Sequence, residues 1–285
     1  MQFTQSLKIA IISLMTFFSS APFAFAQLSI EKTLVAKSQL QDPIWQMHEP
    51  ASEEIIEHGV WNGFLGKYVA TDARGINLVK YGAVSAADRE SLKTYLSALQ
   101  SIDITRYNRR EQYAFWLNLY NASIVNVVLE NYPSKSILNI KSHLLDLKGP
   151  FDDAIVSVNG KTLTPDDIES GIVRPIWNDP RLHYGFNCAA ISCPNLGTEA
   201  FNGSSINGQL DQAATSFIND PRGVKIKNGK VTVSKIFFWY SEDFGGSDKA
   251  ILDHIRAFAS PELAEKLAGK SRISKYEYDW ALNER

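Results

Sequence analysis

The sequence predicts an α+β fold in which buried central helices pack on a small antiparallel sheet built from hairpins. The stretch 108–133 has apolar residues on all sides of a helix, which is typical of a helix buried in the core. Two Asn-Gly pairs, Asn159-Gly160 and Asn228-Gly229, each separate two alternating segments and so predict β-hairpins. Helical and extended segments do not alternate as βαβ units would, which favours α+β over a parallel sheet.

Local signals place the other elements. Residues 27–108 are predicted to be mainly helical, with helical spacing of apolar residues across 88–99 and short extended pieces around Gly75. In the central helix, Asn108 is expected to cap the start and Pro133 to mark the end. Thr164 is expected to cap a helix with Pro165 at its first position. Segments 247–260 and 260–270 predict two further helices, and the alternating, aromatic segment 274–282 predicts a last strand.

The first 26 residues predict a cleaved secretory signal peptide. Lys8 precedes the apolar run Ile9–Phe18, and Ala24-Phe25-Ala26 resembles a cleavage site. The apolar run is much shorter than the ~20 residues that span a bilayer, which disfavours a retained anchor. We therefore expect residues 27–285 to form a single α+β domain, with a mainly helical portion at 27–108, that is periplasmic or secreted.

The composition of the chain bears on which classes of partner it would bind. The chain of 285 residues carries 29 basic and 31 acidic residues, a formal net charge of −2, without a basic block. This balance does not suggest nucleic acid or an anionic membrane as a partner. We find no later segment that would span a membrane and no phosphate-binding or hydrolase motif, so the ligand or protein partner is unknown and no cofactor is expected.

Asparagines occur inside the predicted central helix. Asn118 and Asn121 are three residues apart and so share a face. A buried amide is costly unless its hydrogen bonds are made. These side chains are expected either to tie down neighbouring loops or to line a pocket.

Four segments in order resemble the domain of unknown function 547 family. They are "AFWLNLYNA", "DPRLHYGFNCAAISCPNL", "KIFFWYSEDF" and "YDWALN", and the resemblance covers roughly residues 68–283. It implies that the His-x4-Cys-x4-Cys-Pro and Trp-x-Asn-x-Tyr-Asn segments are the hallmark of the family, but it brings no agreed activity. The sequence reads "NCAAIS" where the family tends to "NCGA". The alanine indicates that the backbone after Cys188 does not need a positive φ.

The two cysteines, Cys188 and Cys193, are the centre of the functional question. In an oxidising compartment a close pair tends to form a disulfide. Five residues of continuous helix would separate the Cα atoms by roughly 8–9 Å, whereas a disulfide tolerates about 7 Å, so a bridge requires a turn between them. The first interpretation is therefore a binding or interaction module whose central loop is closed by this bridge.

The alternative is a cysteine-dependent amide hydrolase or acyl transferase. Cys188 would be the nucleophile and His183 its base, with Glu169 or Asp279 orienting the imidazole. This requires segment 181–186 to be a strand that bends at Gly185, with Asn187-Cys188 at the start of a short helix.

The remaining polar residues near this segment have candidate roles as well. Asn187, Asn118 or Asn121 would help to bind an oxyanion. Arg181 either pairs with an acidic neighbour or joins these amides as a pocket residue.

A metal site is a third interpretation of the same segment. His183, Cys188 and Cys193 would supply three ligands for zinc, but C-x4-C is at the wide end of structural spacings and a second cysteine pair is absent from the sequence. We therefore predict no metal. The other histidines are interpreted as ordinary surface or capping residues: His48, His58, His143 and His254.

Overall fold

The computed structural model describes residues 31–33, 35–140 and 149–285. The predicted signal peptide and His143 lie outside these ranges. Contacts within the chain divide it into residues 1–36 and residues 37–285. In the first unit, residues 31–33 are helical; the second unit carries all the features that follow.

The N-terminal part of the second unit contains two α-helices and a pair of short strands. Helix α1 (Gly59–Tyr68) leads into strands β1 (Val69–Thr71) and β2 (Asn77–Val79), which pair antiparallel around Gly75. Helix α2 (Ala86–Gln100) follows, with the Ser85 hydroxyl accepting the N–H of Asp88 as its cap.

Helix α3 (Arg109–Glu130) is the buried centre of the unit. Asn108 caps it as predicted, because its Oδ1 accepts the backbone N–H groups of Arg110 and Glu111 at 3.0 and 3.2 Å. Buried residues lie on every face, including Phe115, Asn118 and Ile124. Since this helix has no polar side over most of its length, other elements can pack all round it.

Both Asn-Gly pairs form hairpin turns, which confirms that prediction. Strands β3 (Val156–Val158) and β4 (Lys161–Leu163) turn at Asn159-Gly160, and strands β5 (Val224–Lys227) and β6 (Lys230–Ser234) turn at Asn228-Gly229. All four turn residues have φ between 47° and 74°. Asparagine and glycine adopt this left-handed region most readily, so the turn residues select the hairpin.

A π-helical segment, Asp167–Val173, follows strand β4 and continues into helix α4 (Arg174–Trp177). Thr164 Oγ1 accepts the N–H of Asp167, and the Asp167 carboxylate accepts the N–H of Thr164. This reciprocal pair is a capping box and confirms the predicted helix start. The π segment, which the sequence did not indicate, packs against α3 and buries Glu169.

The C-terminal part completes the predicted α+β fold with one different pairing. Strand β7 (Lys275–Glu277) joins the edge of β6 in parallel rather than antiparallel. Between them the chain passes through helices, and a long crossover of this kind allows parallel pairing. The remaining helices are α5 (Leu182–Gly185), α6 (Ile206–Ile218), α7 (Ile236–Trp239), α8 (Asp248–Phe258) and α9 (Pro261–Leu267). Short 3₁₀ turns lie at Pro43–Gln46, Tyr81–Ala83, Ile104–Arg106, Ile137–Asn139 and Gly149–Asp152.

Candidate functional site

The two cysteine thiols lie together in the loop that follows α5. Their sulfur atoms are 2.8 Å apart, and both cysteines are free. A disulfide bond is about 2.05 Å long, so the structure contains a close dithiol and the bridge remains a prediction. The turn that a bridge requires is present, because the N–H of Cys193 donates to the carbonyl of Ala190 at 3.0 Å.

Buried amides of α3 hold this loop in place. Asn121 Oδ1 accepts the N–H of Asn187 at 2.8 Å, and Asn121 Nδ2 donates to the Gly185 carbonyl at 2.9 Å. The Asn187 amide in turn donates to the carbonyl of Pro194 at 2.8 Å, across the turn that contains both cysteines. The loop is therefore anchored to the central helix on one side and closed on itself on the other.

Asn118 anchors a second loop in the same way. Its Nδ2 donates to the carbonyl of Phe201 at 2.8 Å, and its Oδ1 accepts the N–H of Phe201 at 3.0 Å. Asn118, Asn121 and Asn187 are all buried. Of the two roles considered for these helix amides, the hydrogen bonds correspond to tying down loops.

Arg222 also holds the cysteine loop, and the sequence analysis missed it. Its guanidinium donates to the carbonyls of Ile191 and Cys193 at 2.9 and 3.3 Å and to Asn195 Oδ1 at 2.9 Å. The Asp220 carboxylate accepts from its Nε at 3.0 Å. An arginine in a Pro-Arg-Gly turn is an ordinary surface pattern. The hydrogen bonds from Arg222 to the cysteine loop are therefore apparent only from the fold.

The backbone after Cys188 contradicts one expectation from the sequence. Ala189 has a φ of 59°, so the chain needs the left-handed region at the position where the family tends to glycine. An L-residue pays roughly 1–2 kcal/mol for this conformation. Asn187 Oδ1 accepts the N–H of Ala189, and the carbonyl of Ala189 accepts the N–H of Asn283, so surrounding hydrogen bonds impose the conformation on alanine.

Hydrogen-bond donors surround the sulfur of Cys188. The Tyr278 hydroxyl lies 3.0 Å from it, and Cys193 Sγ lies 2.8 Å from it. Burial raises the pKa of Cys188, but hydrogen bonds from the Cys193 thiol, the Tyr278 hydroxyl and the N–H of Ala190 outweigh this and hold the pKa below its ordinary value.

The pKa of Cys193 is shifted in the opposite direction. Burial and the neighbouring Cys188 sulfur raise the pKa of Cys193 well above its ordinary value. Cys188 is half-buried, whereas Cys193 is buried. The pair thus consists of a half-buried cysteine whose sulfur favours the thiolate and a buried cysteine whose sulfur favours the thiol.

The segment before the cysteines is helical, so the predicted strand at 181–186 is wrong. Leu182–Gly185 forms the single turn of α5, Phe186 is extended, and Cys188 lies in a loop rather than at a helix start. Gly185 is packed against Leu117 of α3 and Leu210 of α6. The single turn of α5 thus packs against the central helix and α6.

Each ring nitrogen of His183 lies near a carboxylate. Nε2 lies 2.7 Å from Oδ2 of Asp243, and Nδ1 lies 3.5 Å from Oε1 of Glu169. The imidazole is 1% exposed and stacks on Tyr240 with ring centroids 4.1 Å apart. The structure thus brings Glu169 beside His183 but directs neither ring nitrogen to the Cys188 sulfur. The carboxylate of Asp279, the other candidate partner, accepts the backbone N–H of Ala281 instead.

Asp243 was not singled out from the sequence. Its two oxygens accept Nε and Nη2 of Arg174 at 2.7 and 3.1 Å. Burial raises the pKa of Asp243, but the hydrogen bonds from His183 and Arg174 outweigh it and bring the pKa well below its usual range. The available signal was an acidic residue inside the aromatic segment "FFWYSEDF", where a carboxylate needs a partner.

Arg181, a candidate pocket residue, is paired with acidic neighbours. Its guanidinium lies 2.7 Å from the carboxylate of Asp179 and 2.8 Å from that of Asp211. Nη2 also donates to Asn207 Oδ1. These contacts join the start of α5 to α6.

An open groove of about 520 Å³ borders the cysteine loop. Ser192, between the two cysteines, and Tyr278, against Cys188, both line it. The N–H of Asp279 donates to Ser192 Oγ at 2.8 Å, which joins the loop to the chain after β7. The other lining residues are Pro221, Arg222, Thr232, Val233, Lys235, Tyr276, Glu277 and Asp279.

The cysteine loop and the central helix together lie within a recognised family segment. Residues 104–218 match the model of the family described as protein of unknown function, DUF547. The DUF547 match supports the resemblance drawn from the sequence and includes Asn118, Glu169, His183 and both cysteines. Asp243 and Tyr278 lie beyond it. No curated protein and no solved structure matches the chain.

The described residues also bear on metal binding and on membrane insertion. Within them, no group of three or more histidine, cysteine, aspartate or glutamate side chains is placed to hold a metal ion. No helix of the described ranges is sufficiently long and apolar to cross a membrane.

Proposed function

We propose that the chain is an exported binding module whose cysteine loop is closed by a Cys188–Cys193 disulfide. The observation that carries the proposal is the 2.8 Å separation of the two sulfur atoms, in a turn that already brings the backbone together. A movement of less than 1 Å would complete the bond. Export, supported by the predicted signal peptide, would supply the oxidising compartment.

The groove beside the loop is the proposed binding site. It is lined by two tyrosines and by polar groups of both signs, including Arg222 and Asp279. Such a mixture suits a small polar ligand that forms hydrogen bonds and has a face that can pack against a tyrosine ring. A bridge between the cysteines would fix Ser192 and the loop wall of the groove, so the disulfide would serve binding by ordering the site in advance.

The bridge can be tested through stability. A disulfide that closes so short a loop contributes about 2 kcal/mol. Urea unfolding of the wild type should therefore lose about this much stability when reductant is added, whereas Cys193→Ser should not respond to reductant. A wild type that is equally stable with and without reductant would contradict the closed loop.

The groove can be tested by NMR with dipeptides and monosaccharides as probes. Shift changes that cluster on Ser192, Thr232 and Tyr278 would support a binding site, and Thr232→Trp, which fills the groove, should remove them. Probes that shift none of these residues would count against the binding role.

A cysteine-dependent amide hydrolase or acyl transferase is the second candidate. It is favoured by one observation: the sulfur of the half-buried Cys188 lies beside the Tyr278 hydroxyl and the Cys193 sulfur, and hydrogen bonds from them lower its pKa. His183, proposed as the base, is engaged by Glu169 and Asp243. An acylated Cys188 detected by mass spectrometry after incubation with an activated amide would favour this candidate over the closed loop.

A further inference from the structure

The two sulfurs of the cysteine loop are unequal in ways that assign them different chemical roles. Cys188 is half-buried and lies against the hydroxyl of Tyr278 at 3.0 Å. Cys193 is only 4% exposed and lies behind it, with its sulfur 3.8 Å from the carbonyl of Phe186. A reagent that comes from solvent therefore meets Cys188 first.

Donors around Cys188 favour the anionic form of its sulfur. The Tyr278 hydroxyl and the Cys193 sulfur lie 3.0 and 2.8 Å from the Cys188 sulfur, and each carries a proton that it can donate once Cys188 is a thiolate. The thiolate is the form of cysteine that attacks electrophiles, including the peroxide bond. The same contacts lower the pKa of Cys188, in agreement with the geometry.

Cys193 is already in place to finish such a reaction. Its sulfur is 2.8 Å from that of Cys188, and the N–H of Cys188 donates to it at 2.9 Å. A sulfenic acid formed on Cys188 would therefore meet a thiol before it meets a second oxidant. Redox-sensitive cysteines are typically accessible, low in pKa and next to a resolving cysteine.

We infer that Cys188 is a hydroperoxide-reactive cysteine and that Cys193 is its resolving cysteine. This inference rests on the disulfide of the proposed function and names the reaction that forms it. The Cys188 thiolate attacks the outer oxygen of a hydroperoxide; an S–O bond forms, the O–O bond breaks, and the alkoxide or hydroxide leaves with a proton from solvent. Cys193 then attacks the Cys188 sulfur; the S–S bond forms, the S–O bond breaks, and the departing hydroxide takes the Cys193 proton as water. Two thiols are oxidised and one peroxide is reduced.

The test separates the two cysteines. Reduced Cys193→Ser and its matched control Cys188→Ser are treated with hydrogen peroxide and dimedone, which traps sulfenic acid, and the adducts are located by mass spectrometry. We expect the adduct on Cys188 in Cys193→Ser and at least about tenfold slower trapping on Cys193 in Cys188→Ser, because its buried thiol is mostly protonated. Circular dichroism checks the fold of both variants, and early-time trapping in the wild type gives the same information without substitution.

Tyr278→Phe isolates the role of the hydroxyl. Loss of one hydrogen bond to the thiolate should slow trapping on Cys188 about fivefold. Phe238→Leu, an apolar substitution next to Tyr276 that removes no hydrogen bond to Cys188, serves as the control and should leave the rate unchanged.

The possible outcomes separate a failure of this inference from a failure of the proposed Cys188–Cys193 disulfide. The inference is overturned, and the disulfide stands, if dimedone labels Cys193 before Cys188 after peroxide treatment. The same holds if dimedone labels neither cysteine while oxidised glutathione still forms the disulfide. If neither oxidant closes the bridge in the wild type, the proposed disulfide fails and the inference fails with it.

Discussion

Ala189 bears a conformational strain that its neighbour Ala190 does not. Both side chains are buried in the cysteine loop, but only Ala189 has a positive φ. The family resemblance pointed to glycine at this position, and the structure shows why glycine would suit it. The strain is a property of one residue and can be measured as one.

Ala189→Gly should be nearly neutral. Relief of roughly 1–2 kcal/mol of left-handed strain offsets the lost methyl group and the greater freedom of the unfolded chain. Ala190→Gly has the same losses without the relief, and so should cost about 1.5 kcal/mol. Urea unfolding of both variants gives the comparison; equal costs would show that Ala189 is not strained.

A single residue of α3 also anchors the cysteine loop. Asn121 makes two hydrogen bonds, to Gly185 and Asn187, from inside the helix core. Asn121→Ala should destabilise the protein by about 2–3 kcal/mol, because it leaves a buried carbonyl and a buried N–H without partners. Asn131→Ala, at the exposed end of α3, is the control and should change little. A similar effect at both positions would contradict the anchoring role.

At the scale of elements, the π segment, α5 and the chain after α7 meet around His183. Glu169 in the π segment contacts His183 of α5, which contacts Asp243, and Asp243 pairs with Arg174 at the start of α4. Breaking a buried pair of this kind is costly because it leaves a charge without its partner.

Asp243→Asn should cost about 3 kcal/mol at neutral pH. The pKa of Asp243 is below its usual range, so its contribution is present above the usual carboxyl pKa and is lost as pH falls through the folded value. The variant should therefore be less stable at neutral pH and show less further loss in acid. Asp253→Asn on the exposed face of α8 is the control. An acid profile identical to that of the wild type would contradict this account.

Elements with local signals could be predicted, and those set by distant contacts could not. Asn159-Gly160 and Asn228-Gly229 specify their turns within two residues, and Asn108 and Thr164 specify helix starts within three. The parallel pairing of β7, the single turn of α5 and the His183–Asp243 contact depend on residues far apart in the chain. Of the two candidate partners of His183, Glu169 lies beside it, a choice that the sequence spacing could not make, and the ring nitrogens of His183 contact carboxylates.

For the whole molecule, the buried His58 and the half-buried His254, in different regions, link stability to pH. Burial lowers the pKa of His58 and of His254 to about 4. The unfolded chain binds protons at these groups near pH 6.5, so stability is lost as pH falls from about 6.5 toward 4.

Each histidine should contribute about 2–3 kcal/mol to that loss. His254→Gln, which keeps a polar partner for the Tyr184 hydroxyl, should flatten the dependence between pH 7 and 4.5. His48→Gln at an exposed position should leave it unchanged. Urea midpoints at several pH values give the result, and an unchanged slope in His254→Gln would refute the assignment.

The central claim concerns the covalent state of the cysteine loop. The most direct measurement is the intact mass of the protein purified without reductant from an oxidising compartment, with iodoacetamide present from lysis. A closed loop predicts a mass lower than the reduced form by two hydrogen atoms and no alkylation of Cys188 or Cys193 until reductant is added. Alkylation of both cysteines before reduction, or of Cys188 alone, would contradict the account.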